Sequence, residues 1–273
     1  MILSPIEQRI KAKIEEVGVS LKDWDIQINY GIKTGCNEAF IISGEKRREL
    51  IKQDPKSEEI IRPILRGRDI KRYGYDFADL YLLFIPWHFP LHTDVTIQGA
   101  SDIAEQAFKQ QFPAIYNHLL QYKKELSNRN KAETGIRYEW YALQRWGANY
   151  WEDFYKQKIV WKRVGSILRF CYDENHFVLD STCFAAGNHI IYLVAILNSK
   201  LVNYMLQDAP KTGTGDLLIS VQAIEPLRIP IPNIEIEQKI ENLLQAKEYQ
   251  VIDKIVYDIY NLTKEEIGFI ESQ

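Results

Sequence analysis

Three short runs of alternating apolar and polar residues, spread over residues 158–186, constrain the fold of this chain most strongly. They read KIVWKRV, ILRFCYD and FVLDSTCFA, and turn-forming residues separate them at Gly165-Ser166 and at residues 173–176. Alternation with a period of two places successive side chains on opposite faces of a sheet. The three runs therefore predict a meander of antiparallel strands.

Helix and strand signals before residue 158 are shorter. Ser4-Pro5 is typical of a helix N-terminus, and we expect that helix to end at Gly18. Helical spacing returns over residues 101–126, where Pro113 interrupts it, and residues 128–150 lack a clean period, which predicts a long ordered loop. Short strands are predicted over residues 26–30, 39–42 and 81–85.

The sequence becomes helical after Gly187. Residues 191–206 are apolar nearly all round, which predicts a buried helix too short to cross a bilayer. A flexible loop is expected over residues 210–215, and an apolar stripe over residues 234–259 predicts a final amphipathic helix with its acidic side chains outward. The predicted class is α+β, with an irregular antiparallel β-rich body followed by a helical C-terminal region.

These signals suggest three units. Residues 1–21 are predicted to form an N-terminal connecting helix, and residues 22–189 a β-rich body. Residues 190–273 are predicted to form a helical region, with the buried helix first and a spacer-like helix at its end.

Composition narrows the class of protein. A chain of 273 residues with 46% hydrophobic and 26% charged side chains is typical of a folded domain. Cys36, Cys171 and Cys183 are odd in number and lack zinc-finger spacing, so we expect neither a disulfide scaffold nor a metal finger, in a reducing, cytoplasmic setting. No secretory segment or membrane-length apolar run is present in the sequence, so no membrane partner is expected.

Charge is unevenly distributed. The chain has a net charge of −3, but residues 233–273 hold nine acidic and four basic side chains, which leaves residues 1–232 with a net charge of +2. Within that part the bases are clustered. Residues 62–73 contain five bases and one acid, and residues 156–169 contain five bases and no acid.

Each basic cluster has two interpretations. The alternation around Ile159 and Trp161 indicates a half-buried strand, so that part of the charge projects from one face of a sheet, where it could contact the phosphates of a duplex. The alternative is a solvated edge strand whose charge prevents aggregation.

Motifs for catalysis or cofactor binding are missing from the sequence. It contains no GxGxxG, P-loop, HExxH or GxSxG pattern, and no Asn/Asp-Pro-Pro-aromatic tetrapeptide of amino-methylating enzymes. His88 and His92 are close, but Pro90 between them argues against a helical metal pair. We therefore expect no catalysis by this chain alone and no metal site.

Several segments, in order, resemble the TaqI-like C-terminal specificity domain, the target-recognition module of type IIG restriction-modification enzymes and N6-adenine DNA methyltransferases. The first two are GIKTGCNEAFII from Gly31 and DPKSEEIIRPILRGRDI from Asp54. Further matches are Phe112–Leu120, Trp140–Gln144, Lys158–Trp161 and Tyr192–Leu201. The final pair, Ile229–Pro232 and Glu237–Ile240, also resembles the hinge and helix that close each recognition unit of type I specificity subunits.

The resemblance implies a module that reads double-stranded DNA. It implies an N6-adenine methyltransferase domain as catalytic partner, upstream in the same polypeptide or in a partner chain, with or without a nuclease domain. It also implies that S-adenosylmethionine and Mg²⁺ are bound by those catalytic domains, with no cofactor in this chain.

Residue chemistry then suggests contacts on a DNA duplex. Small residues at Gly31 and Gly35 would let backbone amides approach a phosphate. A phosphate clamp is predicted from Lys33, Thr34, Arg66, Arg68, Lys71, Arg72, Lys162, Arg163 and Ser166. Base reading is predicted from Asn37, Tyr141, Gln144 and Arg145, and a loop ordered on DNA from Lys211, Thr212 and Thr214.

Three alternatives stay open. The cluster from Arg66 to Arg72 could instead form an internal salt-bridge network with Asp69, Asp76 and Asp79. The chain could be a scaffold that docks a methyltransferase through its acidic C-terminal helix, with incidental DNA contact. An enzyme with an unrecognised site would require hydrolysis or methyl transfer by the purified chain.

Overall fold

The structure, a computed structural model, describes residues 3–273. The α-helices are α1 (Pro5–Val17), α2 (Asn37–Phe40), α3 (Gly44–Gln53), α4 (Asp102–Gln111), α5 (Pro113–Leu120), α6 (Lys123–Asn128), α7 (Ile190–Leu197), α8 (Lys200–Met205), α9 (Val221–Ile224), α10 (Ile234–Gln245), α11 (Tyr249–Ile259) and α12 (Lys264–Glu271). Short 3₁₀ helices cover Leu21–Asp23, Pro55–Ile60, Gly67–Asp69 and Trp151–Tyr155.

Short strands alternate with these helices, so the predicted α+β class is confirmed. The strands are β1 (Val19–Ser20), β2 (Ile26–Tyr30), β3 (Ile41–Ser43), β4 (Ile61–Leu65), β5 (Leu80–Leu83), β6 (Lys158–Lys162), β7 (Val164–Gly165), β8 (Phe170–Asp173), β9 (Phe177–Val178), β10 (Thr182–Gly187), β11 (Leu217–Leu218) and β12 (Arg228–Ile229).

A four-stranded antiparallel sheet, here the central sheet, has the order β2-β10-β6-β8. The predicted meander is correct for β6 and β8, which form a hairpin with Trp161 opposite Phe170. It is wrong for the third run, because β10 pairs with the other edge of β6. β9 leaves the central sheet and pairs in parallel with β4, where Phe177 lies opposite Ile64.

The second sheet has the order β3-β5-β4-β9, so β9 connects the two sheets. Phe177 and Val178 are both buried, and burial in the core between the sheets explains why β9 pairs there. The predicted break at Pro113 separates α4 from α5, and helices α4, α5 and α6 contribute Phe108, Ile115 and Leu126 to the same core.

The central sheet is buried on both faces. Val160 and Phe184 belong to the core shared with the second sheet, whereas Ile159, Trp161 and Ala185 belong to a core shared with the C-terminal helices. The prediction of a half-buried strand with charge projecting from one face is therefore wrong for most of β6. Only its last residue, Lys162, is exposed.

The C-terminal helices cover one face of the central sheet. The predicted buried helix is present as α7 and α8, with Ser199 capping α8. The predicted final helix is two helices, because the chain reverses at Lys247, which has φ 59°, between α10 and α11. The apolar stripe still points inward, and Ile240 and Val256 are fully buried in one core.

The N-terminal helix begins and ends as predicted. Ser4 and Glu7 form a reciprocal capping box, and α1 ends before Gly18. Lys13 on α1 pairs with the buried Glu266 at 2.7 Å, which links the first helix to α12. Over residues 3–273, no helix is long and apolar enough to cross a membrane.

Candidate nucleic-acid interface

Six backbone segments lie side by side beyond the end of the central sheet, joined by hydrogen bonds. Lys33 and Arg145 exchange backbone hydrogen bonds of 3.0 and 2.9 Å. On the other side of this loop the Asp180 amide donates to the Ile32 carbonyl at 2.9 Å, and the next residue, Ser181, accepts from the Arg163 amide at 3.0 Å. Sequence segments that are far apart in the chain therefore meet at one edge.

The same ladder continues past Arg163. The Ile219 amide donates to the Arg163 carbonyl at 2.8 Å, and the Leu218 amide donates to the Pro210 carbonyl at 2.7 Å, next to Lys211. Since neighbouring strands lie about 4.8 Å apart, five such steps from Arg145 to Lys211 cover on the order of 24 Å along the hydrogen bonds.

The first basic cluster joins this edge through Gly67. A Cβ atom on Gly67 would lie 2.9 Å from Cγ of Lys162, so only glycine lets the turn between Arg66 and Arg68 approach the Lys162 stem. Arg169 directly precedes Phe170, the partner of Trp161, and so lies beside Lys162 at the end of the β6–β8 hairpin.

We name the cations at this edge the cationic row. All are exposed or half-buried. Among the described residues, none of them lies within 4.0 Å of a carboxylate, whereas many other bases of the chain form ion pairs. The cationic row consists of Lys33, Arg68, Arg145, Lys162, Arg163, Arg169 and Lys211.

Three predicted clamp residues are instead engaged within the chain. Arg66 binds Asp69 at 2.8 Å, and this hydrogen bond raises the pKa of Arg66 above its usual value. Lys71 pairs with Asp76 at 3.2 Å. These two pairs match the internal-network alternative.

Arg72 is turned toward the helical region. Its guanidinium donates to the Asn198 carbonyl at 2.7 Å and lies 4.0 Å from Asp253. It also lies over the Tyr73 ring, 4.9 Å from the centroid. This side chain therefore links the basic cluster to α7 and α11.

The loop from Gly31 to Asn37 differs from its prediction at two residues. Gly31 is buried, its amide donates to Thr182, and a side chain would overlap the Leu179 backbone, so this amide is not open to a phosphate. Thr34 is also buried, and its hydroxyl donates to Oδ1 of Asn37 at 2.6 Å. Asn37 is exposed and Gly35, with φ 76°, forms the turn between them.

Tyr141, one of the predicted base readers, is inaccessible. Its side chain is fully buried and its hydroxyl donates to the Phe89 carbonyl at 2.9 Å. Burial raises its pKa above the usual value. The prediction for Tyr141 is incorrect because this residue is part of the core packing against Phe108.

Arg145 is exposed and Gln144 is half-buried. They line a groove of about 340 Å³ with Trp146 and Asn149. A cavity of about 290 Å³ beside it contains Lys33 and Asn37, and Gly35 packs against Gln144 between the two. Two amides and two cations, all with hydrogen-bonding capacity, therefore face the same region.

The loop after α8 forms a hydrogen-bonded turn in this structure. The Thr212 amide donates to the Asp216 carbonyl at 2.8 Å, and the hydroxyls of Thr212 and Thr214 are 2.8 Å apart. Lys211 is exposed beside this turn, and Ser166 is exposed in the loop after β7.

Arg129 was missed by sequence reasoning, although it lies in the polar loop near the matched Trp140 segment. Its guanidinium donates to the carbonyls of Thr34, Trp140 and Ala142. Burial lowers its pKa to about 10. It holds together the two loops that carry Lys33 and Arg145.

Arg169 was missed for a different reason. It belongs to the predicted basic cluster, but only the strand pairing places it beside Lys162.

In residues 3–273 there is no group of three or more His, Cys, Asp or Glu side chains that could hold a metal ion. Cys171 and Cys183 are free thiols, and burial raises the pKa of each to about 12.

A row of unpaired cations beside exposed amides on an α+β scaffold is typical of proteins that contact nucleic acid. The family of the TaqI-like C-terminal specificity domain matches residues 62–231, more than half of the chain, and the protein belongs to this family. This confirms the predicted resemblance and supports a role in DNA target recognition.

Two type II methyltransferases are similar in sequence. M.MjaIV of Methanocaldococcus jannaschii is 25% identical over 259 residues, which cover 90% of this chain and 78% of that protein. M.BstVI of Geobacillus stearothermophilus is 22% identical over 261 residues, which cover 90% of this chain and 41% of that protein.

Two solved structures share the fold. The type IIL restriction-modification enzyme MmeI, solved in complex with DNA, gives a TM-score of 0.60 at 13% identity and covers 94% of this chain. The type IIG restriction endonuclease BpuSI gives 0.51 at 12% identity and covers 98%. The match spans 36% of MmeI and 32% of BpuSI, about a third of each enzyme.

Proposed function

We propose that this chain is the sequence-specific recognition module for double-stranded DNA of a type IIG restriction-modification enzyme or an N6-adenine DNA methyltransferase. The observation that carries the proposal is the cationic row, in which bases from five distant segments lie unpaired at one edge. Cations held close together without carboxylates repel one another, and a phosphate backbone would relieve that repulsion.

Phosphate contacts would fix the position of the duplex. A row on the order of 24 Å long is shorter than one turn of B-DNA, about 34 Å, so its cations can reach several phosphates of one face of the duplex. We assign phosphate binding to Ser166 and to the cations of the row other than Arg145. Arg66, Lys71 and Arg72 support the loop from within the protein instead.

Base reading is assigned to the side chains at the other end of the row. Asn37 keeps its amide nitrogen available because its oxygen accepts from Thr34. Gln144 and Arg145 offer an amide and a guanidinium, which pair with the edges of adenine and guanine in the major groove. Residues 22–189 would carry these base contacts, and residues 190–273 would contribute Lys211 to the cationic row and otherwise support the sheet from behind.

The catalytic parts are proposed to lie outside this chain. An N6-adenine methyltransferase domain, in the same polypeptide or in a partner, would bind S-adenosylmethionine and modify the recognised site. A nuclease domain with Mg²⁺ would be a further partner. The chain itself would be non-catalytic.

Salt-dependent binding tests the proposal. Affinity of the chain for duplex DNA is measured by fluorescence anisotropy over a range of NaCl concentrations. Arg68→Ala and Lys162→Ala should each flatten the plot of log affinity against log salt by about one unit and weaken all sequences alike. Lys264→Ala, an exposed lysine on α12, is the matched control.

Circular dichroism establishes that each variant is folded. If both row variants keep the wild-type slope, the assignment of the row to phosphates is wrong. Absence of duplex binding even at low salt would reject the recognition function as a whole.

A docking function is the second candidate. Ile231, in the segment before α10, is 57% exposed, and Ile234, the first residue of α10, is 88% exposed. Exposed apolar side chains there would suit contact with a methyltransferase subunit. Capture of that subunit with no binding of duplex DNA would favour docking over recognition.

A further inference from the structure

The loop between β7 and β8, residues 166–169, presents an isoleucine at the cationic row. Ile167 is 65% exposed, and its neighbours Ser166 and Arg169 are also exposed. Leu168, in contrast, packs against the core of the C-terminal helices and anchors the loop. The outward direction of Ile167 is therefore fixed by the residue that follows it.

Cations surround this apolar side chain. Lys162 lies against the start of the loop, since its Nζ would be 3.9 Å from a Cβ atom on Gly165. Arg163 precedes the loop and Arg169 ends it. Contact with water does not stabilise an isoleucine side chain at such a site. Burial against a surface that is anionic and also carries hydrocarbon groups would stabilise it.

The neighbouring backbone is a two-stranded ribbon. β7 pairs with β11, with Val164 opposite Leu218 and Gly165 opposite Leu217. A two-stranded ribbon fits the major groove, which is about 12 Å wide. The hydrocarbon that the major groove offers is the C5-methyl group of thymine.

We infer that Ile167 is a specificity-determining residue that contacts a thymine methyl group in the major groove. The inference rests on the proposed function and deepens it. It adds apolar recognition of one base to the polar contacts of Asn37, Gln144 and Arg145.

The test begins with the wild-type chain. A duplex sequence is enriched from a randomised pool, and each thymine in it is then replaced by deoxyuridine, which lacks only the methyl group. At one position this replacement should lower wild-type affinity about fourfold, the value for one buried methyl group.

The variant Ile167→Ala should lose a similar factor on the unmodified duplex and become insensitive to deoxyuridine at that position. Ile167→Val, which keeps a branched apolar side chain, should retain most of the sensitivity. Val95→Ala changes a residue that is 94% exposed in the segment between β5 and α4, and it should behave as the wild type.

The outcomes separate the two proposals. If the wild-type chain enriches no sequence, the proposed recognition function fails, and this inference with it. If a sequence is enriched but no thymine is sensitive to deoxyuridine, or if Ile167→Ala keeps the full sensitivity, the contact is rejected and the recognition function stands. The deoxyuridine measurement uses the wild-type chain, so it does not depend on folding of a variant.

Discussion

Lys158 and Asp173 form an ion pair in which both side chains are fully buried, with Nζ 2.7 Å from Oδ2. They lie opposite each other at the start of the β6–β8 hairpin. The second oxygen of Asp173 lies 2.7 Å from Nδ1 of His176. Burial alone would raise the pKa of Asp173, but the His176 hydrogen bond and the Lys158 charge outweigh it, and the pKa lies below its usual value.

Breaking this pair should destabilise the fold strongly. Asp173→Asn leaves the Lys158 ammonium buried without a countercharge, and removal of one partner of a buried pair costs about 3 to 5 kcal/mol. Urea unfolding measures the change. Lys156, an exposed residue two positions before Lys158, pairs with Asp153. Lys156→Ala is therefore the control, and no change is expected in its urea midpoint. Equal midpoints for both variants would contradict the structural role of the buried pair.

A second prediction concerns pH and His118. This imidazole is buried with Nε2 3.0 Å from the Ala39 carbonyl, and burial lowers its pKa. Below the ordinary value of about 6.5 the unfolded chain takes up a proton that the folded chain resists, so the free energy of unfolding falls as pH falls. His118→Gln keeps a donor to Ala39 and does not titrate.

Urea unfolding at pH 7.5 and pH 5.5 tests this difference. Between pH 7.5 and pH 5.5 the free energy of unfolding should fall less in the variant than in the wild type. His92, whose pKa is also lowered by burial, is present in both proteins and contributes equally. The same loss in both proteins would show that His118 does not carry the effect.

Local patterns predicted the elements of the fold, but long-range pairing decided their arrangement. The capping box at Ser4 and the break at Pro113 are read directly from neighbouring residues. The strand order of the central sheet cannot be read from neighbouring residues in this way. The alternating pattern of β10 is equally compatible with pairing to the edge of β6 and with pairing to the edge of β8. Lys158 shows the same limit, since its partner Asp173 lies 15 positions away in sequence.

The candidate site was predictable as basic clusters, but not as individual contacts. Arg66 and Arg68 are alike in sequence, yet only Arg66 can reach Asp69 from the turn that they share. Arg72 finds its acceptor at Asn198, far along the chain. Which cations stay unpaired therefore depends on distant acceptors that a basic cluster does not reveal.

A third prediction assigns a positioning role to Arg129. Lysine can keep the charge but cannot donate to the carbonyls of Thr34, Trp140 and Ala142 with one planar group. Lost hydrogen bonds to a charged group are worth about 1.5 to 3 kcal/mol. If they hold the recognition loops, Arg129→Lys should lower affinity for the enriched duplex about tenfold or more.

The salt slope separates this role from a direct phosphate contact. Arg129→Lys should keep the wild-type slope and lose much of the preference for the enriched duplex over a random one. Arg9→Lys, at an exposed arginine of α1 that pairs with Glu265, is the control. A flattened slope with preference retained would show that Arg129 contacts phosphate rather than positioning the loops.

The last prediction separates Tyr141 from Gln144, two residues that sequence reasoning treated alike. The Tyr141 hydroxyl donates to the Phe89 carbonyl within the core. Tyr141→Phe should therefore reduce the free energy of unfolding by about 1 kcal/mol and leave sequence preference unchanged. Gln144 lies at the surface, so Gln144→Ala should change stability little and cost roughly 1 to 3 kcal/mol on the enriched duplex alone. Urea unfolding and competition between enriched and random duplexes measure both quantities for each variant. A loss of preference in Tyr141→Phe, with Gln144→Ala unaffected, would reverse the assignment and require the core around Phe89 to open when DNA binds.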